Sequence, residues 1–136
     1  MADCIFCKIV KGEIPSTRIY EDQFILAFLD IMPASKGHCL VMPKNHYETF
    51  TEIPENELCD LIAVTQKISK AMSSALGNKG YNILINNDKT AGQLIPHAHM
   101  HIIPRFKGDR IRLSWSHRRY RGKELEDTKE KIVKFL

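Results

Sequence analysis

The residues with the most chemistry to offer are three histidines at alternate positions in His97-Ala98-His99-Met100-His101-Ile102-Ile103. On an extended strand successive side chains point to opposite faces, so His97, His99 and His101 share one side. Ala98, Met100 and Ile102 point the other way, into a core. The three imidazoles would stand about 7 Å apart. Strict alternation, in a chain with six histidines, argues against an incidental polar face. Two chemistries fit. Three imidazoles can surround one metal ion and leave a position open for water or substrate. Alternatively the row serves a phosphate: one neutral imidazole attacks while a neighbour steadies a phosphoryl oxygen. The spacing does not choose between them. A second group is Cys4-x-x-Cys7, which in a reducing compartment points to metal or redox chemistry before a structural disulfide.

Other elements must hold these groups in place. Residues 4–11 read as one or two helical turns, and Ile14-Pro15 breaks them. Residues 17–20 and 24–30 read as a hairpin around Glu21-Asp22, and residues 38–43 as a short apolar strand. The clearest helix runs from Pro54 to Leu76: Leu58, Leu61, Ile62, Thr65, Ile68, Ala71 (or Met72) and Ala75 recur at helical spacing, and Gly77 is a stop. Residues 81–86 read as a strand, 87–93 as a loop, 97–103 as a strand ended by Pro104, and 123–135 as a weak helix. Strands, one long helix, then more strands predict an α+β fold with a mainly antiparallel sheet and the helix on one face.

The 136 residues suit one domain, and 43% apolar with 26% charged residues describes an ordinary globular chain. No apolar run approaches the roughly 18–20 residues that span a bilayer. Met1-Ala2-Asp3-Cys4 lacks the basic-then-apolar pattern of a secretory signal. The expectation is a cytoplasmic protein with no membrane contact. A net charge of +4 suits a small anionic substrate without calling for nucleic acid. The positive charge gathers after residue 104, in Arg105, Lys107, Arg110, Arg112, Arg118, Arg119 and Arg121. Trp115 and Tyr120 lie among them.

The segment Gly92-Gln93-Leu94-Ile95-Pro96-His97-Ala98-His99-Met100-His101-Ile102-Ile103-Pro104-Arg105 resembles the signature of the histidine-triad (HIT) family. Upstream, Cys4-Ile5-Phe6-Cys7-Lys8-Ile9, Glu13-Ile14-Pro15, Phe28-Leu29-Asp30-Ile31, Gly37-His38-Cys39-Leu40-Val41-Met42-Pro43-Lys44 and His46 match in order. The likeness spans about residues 3–106 and is greatest to the Hint-type branch with an N-terminal C-x-x-C. It implies an antiparallel five-stranded sheet with one long helix and short terminal helices, and a homodimer that joins two sheets into one of ten strands. Residues 1–106 would be the HIT domain and 107–136 a basic C-terminal extension packing on the dimer.

The same resemblance implies a catalytic set of His99, His101, His38 and His97. His99 is then the nucleophile that forms a nucleotidyl-histidine, and His101 bonds a phosphoryl oxygen. It places Asp30 on the ribose hydroxyls. Ile5, Phe6, Ile9, Ile14, Phe28 and Leu29 fall around the base, and Asn86, Gln93 and Leu94 near the phosphate. Substrates would be AMP or GMP derivatives such as nucleoside phosphoramidates or acyl-adenylates. Leu94 stands where the Hint branch commonly has a serine, and Pro96 removes an N–H donor just before the triad. Cys4, Cys7, His46 and His97 resemble the structural zinc set of C-x-x-C members, a closed shell that would occupy the His97 ring. No catalytic metal is expected. The readings set beside this one are a dinucleoside polyphosphate hydrolase or phosphorylase, a non-catalytic nucleotide-binding adaptor and a metallohydrolase using the three triad rings.

Overall fold

Ile25–Leu29 and Cys39–Pro43 are unbroken apolar runs, the pattern of strands buried on both faces. In the computed structural model, which describes residues 3–136, they form the centre of a five-stranded antiparallel sheet. Met1 and Ala2, part of the stretch read for a secretory signal, lie outside the described residues. The strands are β1 (Arg18–Glu21), β2 (Ile25–Leu29), β3 (Cys39–Pro43), β4 (Gly80–Leu84) and β5 (Met100–Arg105), in the order β1-β2-β3-β5-β4. The helices are α1 (Ile5–Val10), α2 (Glu55–Leu76) and α3 (Glu124–Val133), with short 3-10 turns at Phe50–Glu52 and Lys89–Ala91.

Strand alternation divides the interior into two layers. Ile25, Ala27, Cys39, Val41, Met100 and Ile102 face α2, and Leu26, Phe28, Leu40 and Met42 face α1. α2 buries Leu61, Val64, Thr65, Ile68 and Met72, a stripe at helical spacing. Ile62, expected on that stripe, is half exposed, and Val64 takes the inward position. Gly77 ends the helix in the left-handed conformation at φ 71°, its N–H donating to the Ser73 carbonyl. Buried Glu57 ties the chain beyond β3 to this helix: Nδ2 of exposed Asn45 and the hydroxyl of half-buried Tyr47 both donate to Glu57 Oε1, at 2.9 and 3.0 Å.

The strand expected over 97–103 is shifted. The paired ladder begins at Met100 and runs through Pro104 to Arg105. Pro104 does not end it; a proline can stay in a strand where its missing N–H is not needed. Upstream, the His97 N–H turns back to the Ile95 carbonyl, and the Ala98 N–H donates to the Tyr47 carbonyl at 2.7 Å. The side-chain alternation nonetheless holds, because Ala98, Met100 and Ile102 all join the α2 layer.

Gly37 sets the approach to β3. Its φ is +91°, and a Cβ there would meet Leu76 Cδ1 at 2.4 Å and Pro104 Cγ at 3.3 Å. Gly37→Ala is expected to cost about 1–3 kcal/mol through strain and crowding, read as a lower urea midpoint with an unchanged slope.

Residues beyond Gly108 leave the sheet. Residues 110–121 carry no regular secondary structure, and α3 buries none of its residues. Leu125, Ile132 and Val133 on it are exposed. Among the described residues no helix is long and apolar enough to cross a membrane.

Candidate active site

β3 and β5 bring the polar groups together. Leu40 pairs with His101, and on its other side His101 pairs with Leu84 of β4. His38 stands just before β3, and Asp30 just after β2. The His99 and His101 rings lie 4.9 Å apart between centroids, and His38 and His101 5.2 Å.

The hydrogen-bond partners fix each ring's tautomer. The Ala34 N–H donates to His38 Nδ1 at 2.9 Å, so the neutral His38 ring carries its proton on Nε2. That Nε2 lies 2.9 Å from His101 Nδ1 and donates to it. His101 is left with its proton on Nε2. His99 Nδ1 lies 2.6 Å from the His97 carbonyl oxygen, which can only accept, so Nδ1 holds the proton and Nε2 keeps a free lone pair. His97 Nε2 likewise donates to the Pro43 carbonyl at 2.8 Å, leaving the Nδ1 lone pair toward the cysteines. The His97 carbonyl thus leaves His99 with an unprotonated Nε2, and the Ala34 N–H, acting through His38, leaves His101 with a protonated one.

Burial keeps these rings neutral. It lowers the His38 and His99 pKa values below the usual imidazole value, with Asp30 opposing in both cases and the His97 carbonyl also opposing at His99. His101 is pushed down to about 4, first by burial and then by the facing His99 and His38 rings. The unfolded chain binds protons near pH 6.5 and the folded His101 only near 4, so folding is penalised as pH falls through that window. Stability is expected to be flat above pH 7 and about 2 kcal/mol lower at pH 5 from His101 alone. Urea titrations at the two pH values check this, and His101→Gln should lose much of the difference.

Among the described residues, two groups of side chains have metal-ligand character. Cys4, Cys7, His46 and His97 place their ligand atoms within 4.8 Å of one another. Sulfur-to-nitrogen separations are 3.5 Å for Cys4–His97, 3.3 Å for Cys7–His46 and 3.7 Å for Cys7–His97. A tetrahedral zinc with ordinary bond lengths sets S···N at about 3.6 Å, so this donor set fits. The His97 tautomer fits as well, since its Nδ1 lone pair faces the thiols. Burial, then the neighbouring Cys4 thiol, raises the Cys7 pKa, and a divalent cation would offset both effects. Asp30, His38 and His101 form the other group. They suit a cation poorly: the Ala34 N–H takes the His38 Nδ1 lone pair and leaves a proton on Nε2, the atom 3.7 Å from Asp30 Oδ2.

The expected base-pocket residues divide. Phe6, Ile9, Phe28 and Ile14 gather on the α1 side of the sheet, Phe6 edge-on to Phe28 at 5.6 Å. Ile5 is half exposed on α1. Leu29, next to Phe28 on the strand, points to the opposite face and packs in the α2 layer. Asp30 accepts the Met32 N–H through Oδ1, which leaves Oδ2 toward His38. Asn86 is half-buried with its amide nitrogen beside Gly92. Gln93 is spent on the backbone: it donates to the Glu48 and Ile95 carbonyls and accepts the Asp88 N–H, so it shapes the loop. Leu94 is 89% exposed. The Ala34 N–H and the Pro43 and His97 carbonyls escape sequence reasoning, because backbone groups carry no residue signature. A hollow of about 650 Å³ lies elsewhere, between α3 and Arg118, Arg119 and Tyr120, and includes none of the histidines.

Residues 11–108 match the family model of the HIT domain. The chain belongs to the HIT family. It is 55% identical over 106 residues to an uncharacterised HIT-like protein of Methanocaldococcus jannaschii, covering 78% of this chain and 81% of that one. It is 46% identical over 102 residues to the adenosine 5'-monophosphoramidase of Schizosaccharomyces pombe, covering 75% and 74%. Its structure resembles that of a HIT family protein from Bacillus subtilis with a TM-score of 0.92 at 42% identity, over 98% of this chain and 97% of that one. A zinc-bound histidine triad family protein from Mycobacterium smegmatis gives 0.76 at 37% identity, over 99% of both chains. The five-stranded antiparallel sheet is thus the HIT fold, and the family relationship supports nucleotide hydrolysis as the general activity.

Proposed function

We propose that this HIT protein cleaves nucleoside phosphoramidates or acyl-adenylates at the α-phosphate through a nucleotidyl-histidine on His99. The observation that carries this is the unprotonated Nε2 of His99 beside a His101 ring protonated on Nε2, their centroids 4.9 Å apart. In the first step His99 Nε2 bonds to phosphorus and the bond from phosphorus to the leaving group breaks, a carboxylate departing as the anion and an amine taking up a proton from solvent, which the water of the second step returns. The imidazole becomes cationic, and its Nδ1–H strengthens its bond to the His97 carbonyl. His101 donates to a phosphoryl oxygen as charge gathers there, with His38 holding its tautomer. In the second step water attacks phosphorus, the P–N bond breaks, and the nucleoside monophosphate leaves. Splitting one displacement into two is what a covalent intermediate contributes.

Substrate contacts follow the same geometry. Asp30 Oδ2 accepts from ribose hydroxyls, and Phe6, Phe28, Ile9, Ile14 and Ile5 wall the base, a purine of AMP or GMP type. Asn86 offers an amide to the phosphate side. Gln93 acts through the loop it ties, Leu94 borders the leaving group without a donor, and Leu29 acts only through the strand it anchors. Zinc held by Cys4, Cys7, His46 and His97 would supply a closed structural shell, with no open position for substrate. The chain is proposed to pair as a homodimer through the free edge of β4, where Tyr81 and Ile83 are exposed, giving ten strands. The segment 107–136, whose α3 has no buried residue in its own chain, is proposed to pack on that dimer.

A substrate panel tests the reading. Adenosine phosphoramidate and an acyl-adenylate are expected to turn over well ahead of diadenosine polyphosphates. Faster diadenosine polyphosphate cleavage would favour the hydrolase or phosphorylase alternative. Tight AMP binding with no turnover of any compound would favour an adaptor.

A further inference from the structure

Phe6 sits between two metal-type ligands in sequence and between two histidines in space. Cys4 and Cys7 flank it on and beside α1. Its ring stands edge-on to His97 and His99, with centroids 5.9 and 5.0 Å away at 67° and 87°. His97 gives its Nδ1 to the cysteine side and its carbonyl oxygen to His99 Nδ1 at 2.6 Å. The cysteine–histidine cluster therefore touches the His99 ring by two routes, the carbonyl of one ligand and the phenyl ring carried between two others. α1 has six residues and no side-chain cap, too short to hold its own position without tertiary support. Whatever fixes Cys4 and Cys7 also fixes where the Phe6 ring stands.

We infer that the metal centre formed by Cys4, Cys7, His46 and His97 sets the orientation and tautomer of His99, with Phe6 as a positioning residue for the nucleophile. The inference rests on the nucleotidyl-histidine reading and adds to it. A closed metal site behind the reacting ring is then part of the catalytic geometry, although no substrate atom meets it. Misplacing a reacting group by about 1 Å can cost roughly 100-fold in rate, so loosening either route should show in the covalent step.

Two measurements test this. Ring-nitrogen NMR of the zinc-loaded wild-type protein, with no nucleotide present, should show His99 in one form, protonated on Nδ1. Removing zinc with a chelator should give a mixture of both tautomers. Phe6→Leu keeps apolar volume and all four ligands, so one zinc per chain should remain. Its single-turnover rate constant at saturating adenosine phosphoramidate should fall at least 10-fold, beyond any change in half-saturating concentration from the base wall. A His99 tautomer unchanged by chelation, or a saturating rate unchanged in Phe6→Leu, overturns the inference. If the wild type forms no covalent adduct at all, the nucleotide reading is the one that fails, and the NMR comparison still decides the link.

Discussion

Replacing His99 with alanine is expected to lower turnover of adenosine phosphoramidate by about 10⁴-fold or more, in line with loss of a nucleophile in other covalent enzymes. The reason lies in the tautomers. With Nδ1–H held by the His97 carbonyl, His99 is the ring whose Nε2 lone pair is free in the row. His101 presents a proton instead, because its Nδ1 is taken by His38 Nε2–H. His101 therefore cannot replace His99 unless the protons of both the His101 and His38 rings change nitrogen, which would break the Ala34 N–H bond to His38 Nδ1. His101→Ala should cost less, about 10²–10³-fold, the usual worth of one donor to a developing oxyanion. AMP binding should survive in His99→Ala within a few-fold, since the base wall and Asp30 are untouched. Steady-state kinetics and AMP titration of the three proteins check the ranking; a His101→Ala defect larger than that of His99→Ala would reverse the assigned roles.

The second large effect is on the metal side. Cys4→Ser is expected to abolish stoichiometric zinc and to lower stability by about 3–5 kcal/mol, a fraction of what a structural zinc contributes to small zinc domains. Cys4 is nearly fully buried and packs with Phe6, Ile9 and Phe28, so loss of the ion also frees the α1 layer of the core. Cys39 is the control. It lies in the other layer, and burial pushes its thiol up to about 12, so it stays a protonated apolar group. Cys39→Ala should keep one zinc per chain. Elemental analysis together with urea unfolding reads both variants. Full zinc occupancy in Cys4→Ser would remove the proposed centre.

Much of the fold was legible because its signals are local. The runs 24–30 and 38–43 are almost wholly apolar, and the α2 stripe repeats at helical spacing with a glycine stop. The His97–His101 alternation was legible for the same reason, and it put the α2-facing and α1-facing residues on the correct sides. The strand ends were less legible, because pairing depends on the neighbour: His97 and Ala98 find single backbone partners in Ile95 and Tyr47 rather than a ladder. Ile62 and Val64 exchanged places on α2 because both are apolar and only tertiary packing selects between them. Leu29 shows the limit of carrying roles over by motif, since adjacent strand residues face opposite layers. Gln93 shows another limit: its side chain type fits a phosphate contact, but three backbone groups already occupy it. The four metal-type ligands, drawn from three distant segments, could be joined only through likeness to a known pattern, and the geometry then placed them within ligand range.

The atom that takes the nucleotide decides whether His99 is the nucleophile. Enzyme in excess over adenosine phosphoramidate should be quenched within milliseconds, digested without acid and mapped by mass spectrometry. The expected result is an added adenylyl group on the peptide containing His99, absent in His99→Ala and lost on brief acid treatment. Full turnover with no adduct at any time, or an adduct carried by His101 or a cysteine, would contradict it.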